Sequence, residues 1–273
     1  NILNPYVDKF IVCESIYTHS GKKKDINFNI NDYPKFKDKI VHLILEDEPV
    51  DLIKSENLSV QEKRLNSIRR IRDQRNYIKN FLNVFSPEDY IIYSDNDEIP
   101  NLENFDLKAV KKKFVIFKQQ IFYYKLNLSL PNLSWFGSKA CKLKYLKNID
   151  FLRNIKNREY SYFRIDTLLS DKKQNSVMLV KNGGWHFSNL KDAANIELKL
   201  KSYLHHRDYE VEELGKDKIE KLIKMNKTIY DMFGDKTAKK YGDDKRKELE
   251  KFDVSQLPTY IQKNLKKFKE WID

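Results

Sequence analysis

The sequence predicts an α/β fold with a mostly parallel sheet flanked by helices, followed by a helical appendage. Apolar runs at residues 9–14, 39–45 and 89–93 are typical of buried strands. A helix with apolar residues three and four positions apart is predicted over residues 62–84, between the second and third strands. Strand, helix and strand in this order indicate a βαβ unit and hence a parallel sheet.

The remaining elements follow from shorter apolar runs and from helical spacing. Strands are predicted at residues 114–117, 120–126 and 177–181. Helices are predicted at about residues 192–206, 212–233, 236–251 and 259–272. The change from mixed to helical signals predicts an α/β domain over residues 1–206 and a helical extension over residues 207–273.

Composition excludes several classes of protein. The 273 residues are 40% hydrophobic and 13% aromatic, which is too rich for a disordered chain despite 34% charged residues. No apolar run approaches the roughly 20 residues that span a bilayer, and no signal peptide is recognisable. Cys13 and Cys141 cannot form a disulfide framework, which favours a reducing compartment. We therefore expect a cytoplasmic protein without a transmembrane segment, and peripheral contact with a membrane stays open.

The net charge of +12 indicates an acidic partner. Residues 1–206 carry +10 of this charge and residues 207–273 carry +2, so the excess lies in the part with the motifs. Nucleic acid, an anionic membrane or a phosphorylated small molecule would each suit it. The nearly neutral tail and the lack of a motif that mixes basic and aromatic residues speak against nucleic acid.

The strongest chemical signal is the acidic segment at residues 94–100 (SDNDEIP), directly after a predicted strand. It places Asp95, Asp97 and Glu98 at the carboxyl end of that strand, where open α/β sheets bind ligands. Three carboxylates so close repel one another unless a cation lies among them. A hard divalent cation shared with a diphosphate would neutralise them. The alternative is an acidic turn that caps a helix.

Arg75 is the charged member of an otherwise apolar stripe on the predicted helix 62–84. A guanidinium on a core-facing stripe needs an anionic partner, because a buried unpaired charge is costly. That partner is either a phosphate, held by two parallel hydrogen bonds, or a structural carboxylate from Asp73 or the sheet. Because the helix leads into the strand that precedes the acidic segment, we expect Arg75 and Asn76 to face the same crevice.

Two further segments carry polar groups next to glycines. Residues 183–188 (GGWHFS) combine Trp185, which offers a stacking surface, with His186, which would complete a metal site begun by two carboxylates. A structural histidine is the alternative. Residues 14–22 follow the first strand and reach the same predicted sheet edge. The alternative is an ordinary polar loop without a binding role, which would have a similar sequence. The chain contains no CxxC, HExxH, P-loop or GxGxxG motif.

Together, these segments resemble glycosyltransferase family 17, which includes the β-1,4-mannosyl-glycoprotein N-acetylglucosaminyltransferases. The resemblance covers residues 7–206 and rests on VDKFIVCES with THSGK (7–22), QRN (74–76), SDNDEIP (94–100) and GWHFS (184–188). It implies a GT-A fold with a Rossmann-like sheet and a transfer that inverts the anomeric carbon. It also implies a UDP-sugar donor (UDP-GlcNAc first of all), a glycan or glycoconjugate acceptor, and Mn²⁺ or Mg²⁺ as cofactor.

The same resemblance assigns roles to individual residues. Asp95 and Asp97 match the Asp-x-Asp that meets the ribose and the metal, with Asn96 between them. His186 resembles the C-terminal metal ligand of GT-A enzymes. The residues expected near the donor are Glu14, Ser15, His19, Gly21, Lys22, Arg75, Asn76 and Trp185.

An inverting transfer also needs a base that takes the proton of the acceptor hydroxyl. Asp166, in FRIDT (163–167), is the first candidate, because it lies far enough along the chain to cross the crevice. Glu98 is the second candidate, and a helix N-cap is the structural alternative for Asp166. Two other classes stay open at this point, a metal-dependent nucleotidyl- or phosphotransferase and, less favoured, a basic nucleic-acid-binding protein.

Overall fold

A seven-stranded sheet surrounded by helices forms the centre of the protein, in a computed structural model that describes residues 1–202, 214–231 and 246–273. The strands are β1 (Phe10–Ser15), β2 (Ile40–Leu45), β3 (Tyr90–Tyr93), β4 (Glu98–Pro100), β5 (Phe114–Tyr123), β6 (Leu128–Lys142), β7 (Val177–Val180), β8 (Gly184–Ser188) and β9 (Glu250–Lys251). The α-helices are α1 (Val60–Tyr77), α2 (Ile149–Asn154), α3 (Ile165–Leu168), α4 (Ala193–Ser202), α5 (Gly215–Lys224) and α6 (Thr259–Gln262). Short 3-10 helices lie at Ile30–Asp32, Pro34–Lys39, Ile78–Val84, Leu107–Ala109, Leu143–Tyr145, Val254–Gln256 and Leu265–Trp271.

The central sheet is mostly antiparallel. Its strand order is β3-β6-β5-β8-β4, with β7 also paired to β5 and β9 to β6. The pairs β5–β7 and β5–β8 are parallel, whereas β3–β6, β4–β8, β5–β6 and β6–β9 are antiparallel. β1 and β2 form a separate parallel pair. The predicted mixture of strands and helices is confirmed, but the prediction of a mostly parallel sheet is wrong for the central sheet.

A long hairpin of β5 and β6 explains this difference. The connection between the two strands spans only residues 124–127, and so short a connection forces antiparallel pairing. β6 was not predicted, because Pro131, Gly137 and several polar residues interrupt any strand pattern in its sequence. The two strands predicted at residues 114–117 and 120–126 merge into β5, which shifts register twice against β6.

The other predicted strands are present. Those at residues 9–14, 39–45, 89–93 and 177–181 correspond to β1, β2, β3 and β7. The predicted βαβ unit does not form one sheet, because β2 pairs with β1 while β3 pairs with β6. The helix predicted over residues 62–84 corresponds to α1 and to the 3-10 helix at Ile78–Val84 that follows it directly.

α1 begins at a capping box. Ser59 Oγ accepts from the backbone N–H of Glu62 at 3.3 Å, and Glu62 Oε2 accepts from that of Ser59 at 2.8 Å. The apolar stripe predicted to face the core differs in burial along its length, since Ile68 is 44% exposed and Leu82 is 5% exposed. Asn66 is buried on this helix instead.

The described C-terminal residues pack against the sheet. α4 and α5 share a hydrophobic core with β5 and β6, and α6 joins a second core with β8. The helices predicted at residues 192–206, 212–233 and 259–272 correspond in part to α4, α5 and α6, although residues 203–213 lie outside the described part. Residues 232–245, most of the helix predicted over 236–251, also lie outside it, and the end of that prediction is wrong because Glu250–Lys251 forms β9. In the part of the chain that the structure describes, no helix has the length and apolar character needed to cross a membrane.

Candidate functional site

The two segments with the strongest sequence signals lie side by side at one edge of the central sheet. β4 and β8 pair antiparallel, with Glu98 opposite His186 and Ile99 opposite Trp185. Gly184, the first residue of β8, has a φ of +132°, and a Cβ atom there would collide with the carbonyl oxygen of Ile99. This glycine therefore allows the two segments to approach each other closely.

Asp97 and His186 are in direct contact. Asp97 Oδ1 lies 3.4 Å from His186 Nε2, and the Asp97 carbonyl accepts from the backbone N–H of Phe187 at 2.8 Å. The other ring nitrogen of His186, Nδ1, is buried and has no hydrogen-bond partner among the described residues. Burial raises the pKa of Asp97, but the hydrogen bond from His186 and nearby positive charge, including that of Lys199, together lower it by more, so the net pKa lies below its ordinary value.

The neighbouring carboxyl group has the opposite shift. Glu98 is 4% exposed, Oε1 accepts from the indole Nε1 of Trp135 at 2.6 Å, and Oε2 accepts from the backbone N–H of Asp95 at 3.1 Å. Burial and the negative charge of Asp95 raise the pKa of Glu98. Gly137 on β6 provides the space, because a Cβ atom there would lie 2.6 Å from Glu98 Cδ and 2.7 Å from Trp135 Cδ1.

Trp135 connects this carboxyl group to His186 and Arg153. The rings of Trp135 and His186 stack with centroids 4.7 Å apart, and the guanidinium carbon of Arg153 lies 6.0 Å from the Trp135 ring centroid. Arg153 Nε is buried and unpartnered within the described residues. A cavity of about 280 Å³ lies beside Trp135 and Arg153. It is lined by Leu133, Ser134, Trp135, Phe136, Arg153 and Asn157. An aromatic ring and a cation therefore face open space next to the Asp97–His186 pair.

Asp95 is held by two guanidinium groups and a phenol. Its Oδ1 accepts from the Tyr93 hydroxyl at 2.5 Å and lies 3.7 Å from Arg75 Nη2, while Oδ2 lies 3.2 Å from Arg153 Nη2. Arg75 also donates from Nε to the Tyr93 oxygen at 2.9 Å and lies 3.5 Å from Asp150 Oδ1. Arg75 thus reaches the acidic segment, and its partners in the structure are carboxylates of the sheet end and of α2.

The loop after β1 reaches the same cluster through His19. Burial, together with the positive charge of Arg75, lowers the pKa of His19 to about 4, while the charge of Asp95 opposes this shift. Gly21 has a φ of +92° and lies against the guanidinium of Arg70, which donates to the His19 carbonyl at 3.4 Å. His19 is therefore a neutral imidazole next to two charged site residues.

Two other predicted residues of this loop have structural partners. Glu14 accepts from Lys24 Nζ at 2.5 Å and from the backbone N–H of Phe28 at 3.0 Å. Ser15 Oγ accepts from the backbone N–H of Tyr17 at 3.0 Å. These contacts fix the path of the loop that carries His19.

Three predicted donor-binding residues lie at the margin of the cluster. Asn76 Oδ1 accepts from the backbone N–H of Asp150 at 3.0 Å and so attaches α1 to the first turn of α2. The Asn96 and Lys22 side chains are exposed to solvent.

Trp185 and Asp166 do not have the surroundings that were predicted for them. Trp185 is 6% exposed, donates to the carbonyl of Gln256 at 3.0 Å and belongs to a hydrophobic core, so the ring stacked on His186 is that of Trp135. Asp166 lies on α3, where Arg164 Nε and Nη2 each donate to its carboxylate at 2.9 Å and Lys173 Nζ donates at 2.5 Å. These two cations lower the pKa of Asp166.

The arrangement fits the expected metal ion in part. Among the described residues, no group of three His, Cys, Asp or Glu side chains is placed to hold a metal. The carboxylate of Asp95 already contacts two guanidinium groups, which leaves Asp97 and His186 as adjacent oxygen and nitrogen donors. A carboxylate and an imidazole suit Mn²⁺, and a substrate diphosphate would have to supply the other ligands.

Sequence analysis did not single out Trp135, Tyr93 or Arg153. For Tyr93 the sequence offered one signal, its position at the end of the predicted strand, two residues before Asp95. Trp135 and Arg153 lie in segments without a recognisable motif, and their roles depend on pairing between distant parts of the chain.

Comparison with known proteins adds one finding to this geometry. The sequence profile of Glycosyltransferase family 17 matches residues 1–272. Neither the curated proteins nor the solved structures contain a significant match. The segments that form the site lie within the matched region, and a match over nearly the whole chain establishes the family. The chain therefore belongs to glycosyltransferase family 17 and is a glycosyltransferase, which acts on a sugar donor and a glycan acceptor.

Proposed function

We propose that the enzyme transfers GlcNAc from UDP-GlcNAc to a hydroxyl of a glycan or glycoconjugate, with inversion at the anomeric carbon. The observation that carries this proposal is the Asp97–His186 pair at 3.4 Å, at a sheet edge with the buried carboxyl group of Glu98 and two arginines nearby. Such a transfer needs positive charge for the leaving diphosphate and a base for the acceptor. Both kinds of group are present here.

Asp97 and His186 are the residues that would hold the divalent cation, Mn²⁺ or Mg²⁺. When bound, this cation would supply charge neutralisation for the leaving diphosphate. Arg75 and Arg153 would add to it, because both lie beside the acidic segment and a guanidinium is well suited to phosphate oxygens. Asp95 would keep both arginines in place and accept from the ribose hydroxyls.

Glu98 is the better supported of the two candidate bases. Its pKa is raised, which brings a carboxyl group closer to the pH at which an enzyme works. The carboxylate of Asp166 is bound to Arg164 and Lys173, and its pKa is lowered, which weakens it as a base. The cavity beside Trp135, whose indole N–H donates to Glu98, suits a sugar ring that stacks on the indole.

The GT-A fold and a cytoplasmic location belong to the same proposal. The parallel pair β1–β2, with its loop near Arg75 and Asp95, supports a nucleotide-binding edge of that type. Both cysteines are free thiols, which supports a reducing compartment.

The test is nucleotide release from a panel of UDP- and GDP-sugars in the presence of Mn²⁺. We expect UDP release from one sugar nucleotide, and a loss on the order of 100-fold in Asp97→Asn, since a metal ligand contributes several kcal/mol to the transition state. Asp51→Asn is the matched control, because Asp51 is a half-exposed carboxylate bound to Arg72 on the surface. The absence of binding and turnover with every sugar nucleotide would overturn the proposal. Release of UMP, with the sugar phosphate passed to the acceptor, would instead indicate a phosphotransferase, and release of a sugar 1-phosphate, with UMP passed to the acceptor, would indicate a nucleotidyltransferase.

A further inference from the structure

Four large apolar side chains are exposed within eight residues around α3. The exposed fractions are 72% for Tyr162, 97% for Phe163, 76% for Ile165 and 85% for Leu169. Single exposed apolar residues are common, but a contiguous group of this kind marks an interaction surface. We call these four residues the apolar patch.

The segment that carries the patch is anchored at its base. The backbone N–H of Lys156 donates to the carbonyl of Lys172 at 2.8 Å, and that of Tyr160 donates to the carbonyl of Gln174 at 2.9 Å. Tyr160 itself is 5% exposed, so its aromatic ring is buried at the base of the segment. The apolar patch therefore lies within the stretch of chain that these two hydrogen bonds close, and its four side chains are exposed to solvent.

Positive charge surrounds the base of the segment. Residues 156–173 contain five lysine and arginine side chains and three carboxylates. Arg158, Arg164 and Lys173 lie 4.5, 5.6 and 6.0 Å from the centroid of the Tyr160 ring. The exposed apolar residues therefore belong to a segment whose cations gather around one buried ring.

The carboxylates of the segment are already neutralised. Glu159 pairs with Lys112 at 2.6 Å and Asp171 pairs with Lys147 at 2.8 Å, so two further cations join the surface. Asp166 pairs with Arg164 and Lys173. The surface therefore presents a net positive charge, which would repel a second copy of the same surface and attract an anionic one.

We propose that residues 156–173 dock the enzyme on an anionic lipid bilayer, with the apolar patch in the headgroup region and the cations on lipid phosphates. Exposed aromatic and aliphatic side chains next to basic residues are the combination that interfacial segments use. Each lysine or arginine near an anionic leaflet adds attraction that salt screens. This inference does not depend on the identity of the sugar donor.

The test is co-sedimentation of the full chain with vesicles of phosphatidylcholine alone or mixed with 30% phosphatidylglycerol. We expect binding to the anionic vesicles, weakened at least several-fold when NaCl is raised from 50 to 500 mM. The double variant Phe163→Ser, Leu169→Ser should lose about tenfold or more in partitioning. Val50→Ser, at a position that is fully exposed and outside the patch, is the matched control and should bind like the unchanged protein.

Two outcomes would overturn the proposal. One is equal binding, or none, to neutral and anionic vesicles; the other is unchanged binding by the double variant. Sedimentation velocity of the same proteins tests whether the patch binds a second copy of the chain. A dimer that forms with the unchanged protein and is absent with the double variant would assign the patch to that contact. Nucleotide release from soluble substrates, measured in parallel, should not change in the double variant, so the two proposals can fail separately.

Discussion

Two adjacent carboxyl groups in this site have pKa values that shift in opposite directions. The hydrogen bond from His186 and nearby positive charge together favour the carboxylate form of Asp97, whereas burial favours the protonated form of Glu98. Pairs of titratable groups whose surroundings separate their pKa values in this way indicate a division of chemical roles. Here the division is between a ligand or electrostatic group at Asp97 and a base at Glu98.

Exchange of the candidate bases separates their roles. Glu98→Gln should lower kcat/KM by on the order of 100-fold or more, because the base is lost, and Asp166→Asn should lower it by no more than a few-fold. The pH profile of the unchanged enzyme should have its acidic limb above pH 4.5, the ordinary value for a glutamate, because the pKa of Glu98 is raised. A large loss in Asp166→Asn with an active Glu98→Gln enzyme would reverse the assignment.

His19 should make stability depend on pH. Its pKa is about 4 in the folded chain against 6.5 in the unfolded chain, so the unfolded chain binds the proton more tightly between these values. The free energy of unfolding should therefore fall as the pH is lowered from 7 to 5, by roughly 2 kcal/mol from this residue. Urea denaturation of the unchanged protein and His19→Gln at both pH values measures the difference, and equal pH dependence in the two proteins would contradict it.

At the scale of elements, Gly137 lets β6 pass next to β4. Gly137→Ala should destabilise the fold by about 1–3 kcal/mol, because the new methyl group would collide with Glu98 and Trp135 in a filled interior. Loss of activity should accompany this, since both side chains would move. Gly215→Asn is the control, because a Cβ atom at Gly215 meets no atom of the described residues within 4 Å and asparagine tolerates its φ of +70°. Urea denaturation and nucleotide release check both variants, and a fully stable, active Gly137→Ala enzyme would contradict this packing.

The elements also show what the sequence can predict. β1, β2, β3 and α1 were predicted because each has a short apolar run or a helical pattern of its own. β6 was missed, because its 15 residues include a proline and a glycine and are ordered by pairing with β3, β5 and β9. The prediction of a parallel arrangement was wrong for the central sheet because β6 was missed. The order and direction of the strands depend on the β5–β6 hairpin, which no local sequence pattern marks.

For the whole molecule, the site is assembled from segments far apart in sequence. The motifs at Asp97 and His186 indicated which two segments meet, and the structure brings them to 3.4 Å. Arg153 and Trp135 complete the surroundings and come from α2 and β6, where no motif marks them. The sequence could therefore predict that the segments of Asp97 and His186 lie close together, whereas the side chains around them depend on the tertiary fold.

Paramagnetic broadening of NMR signals by Mn²⁺ shows whether a cation and the donor diphosphate bind at Asp97 and His186. The chain has three tryptophans, whose indole N–H signals can be assigned by Trp→Phe variants. In the presence of UDP, the signal of Trp135 should broaden at the lowest Mn²⁺ concentration, because its ring lies 4.7 Å from that of His186. Mg²⁺ should cause no broadening, and Asp97→Asn should suppress the effect of Mn²⁺. Equal broadening of Trp135 in Asp97→Asn, or a Trp135 signal that stays sharp while those of Trp185 and Trp271 broaden, would show that the cation does not bind at Asp97 and His186.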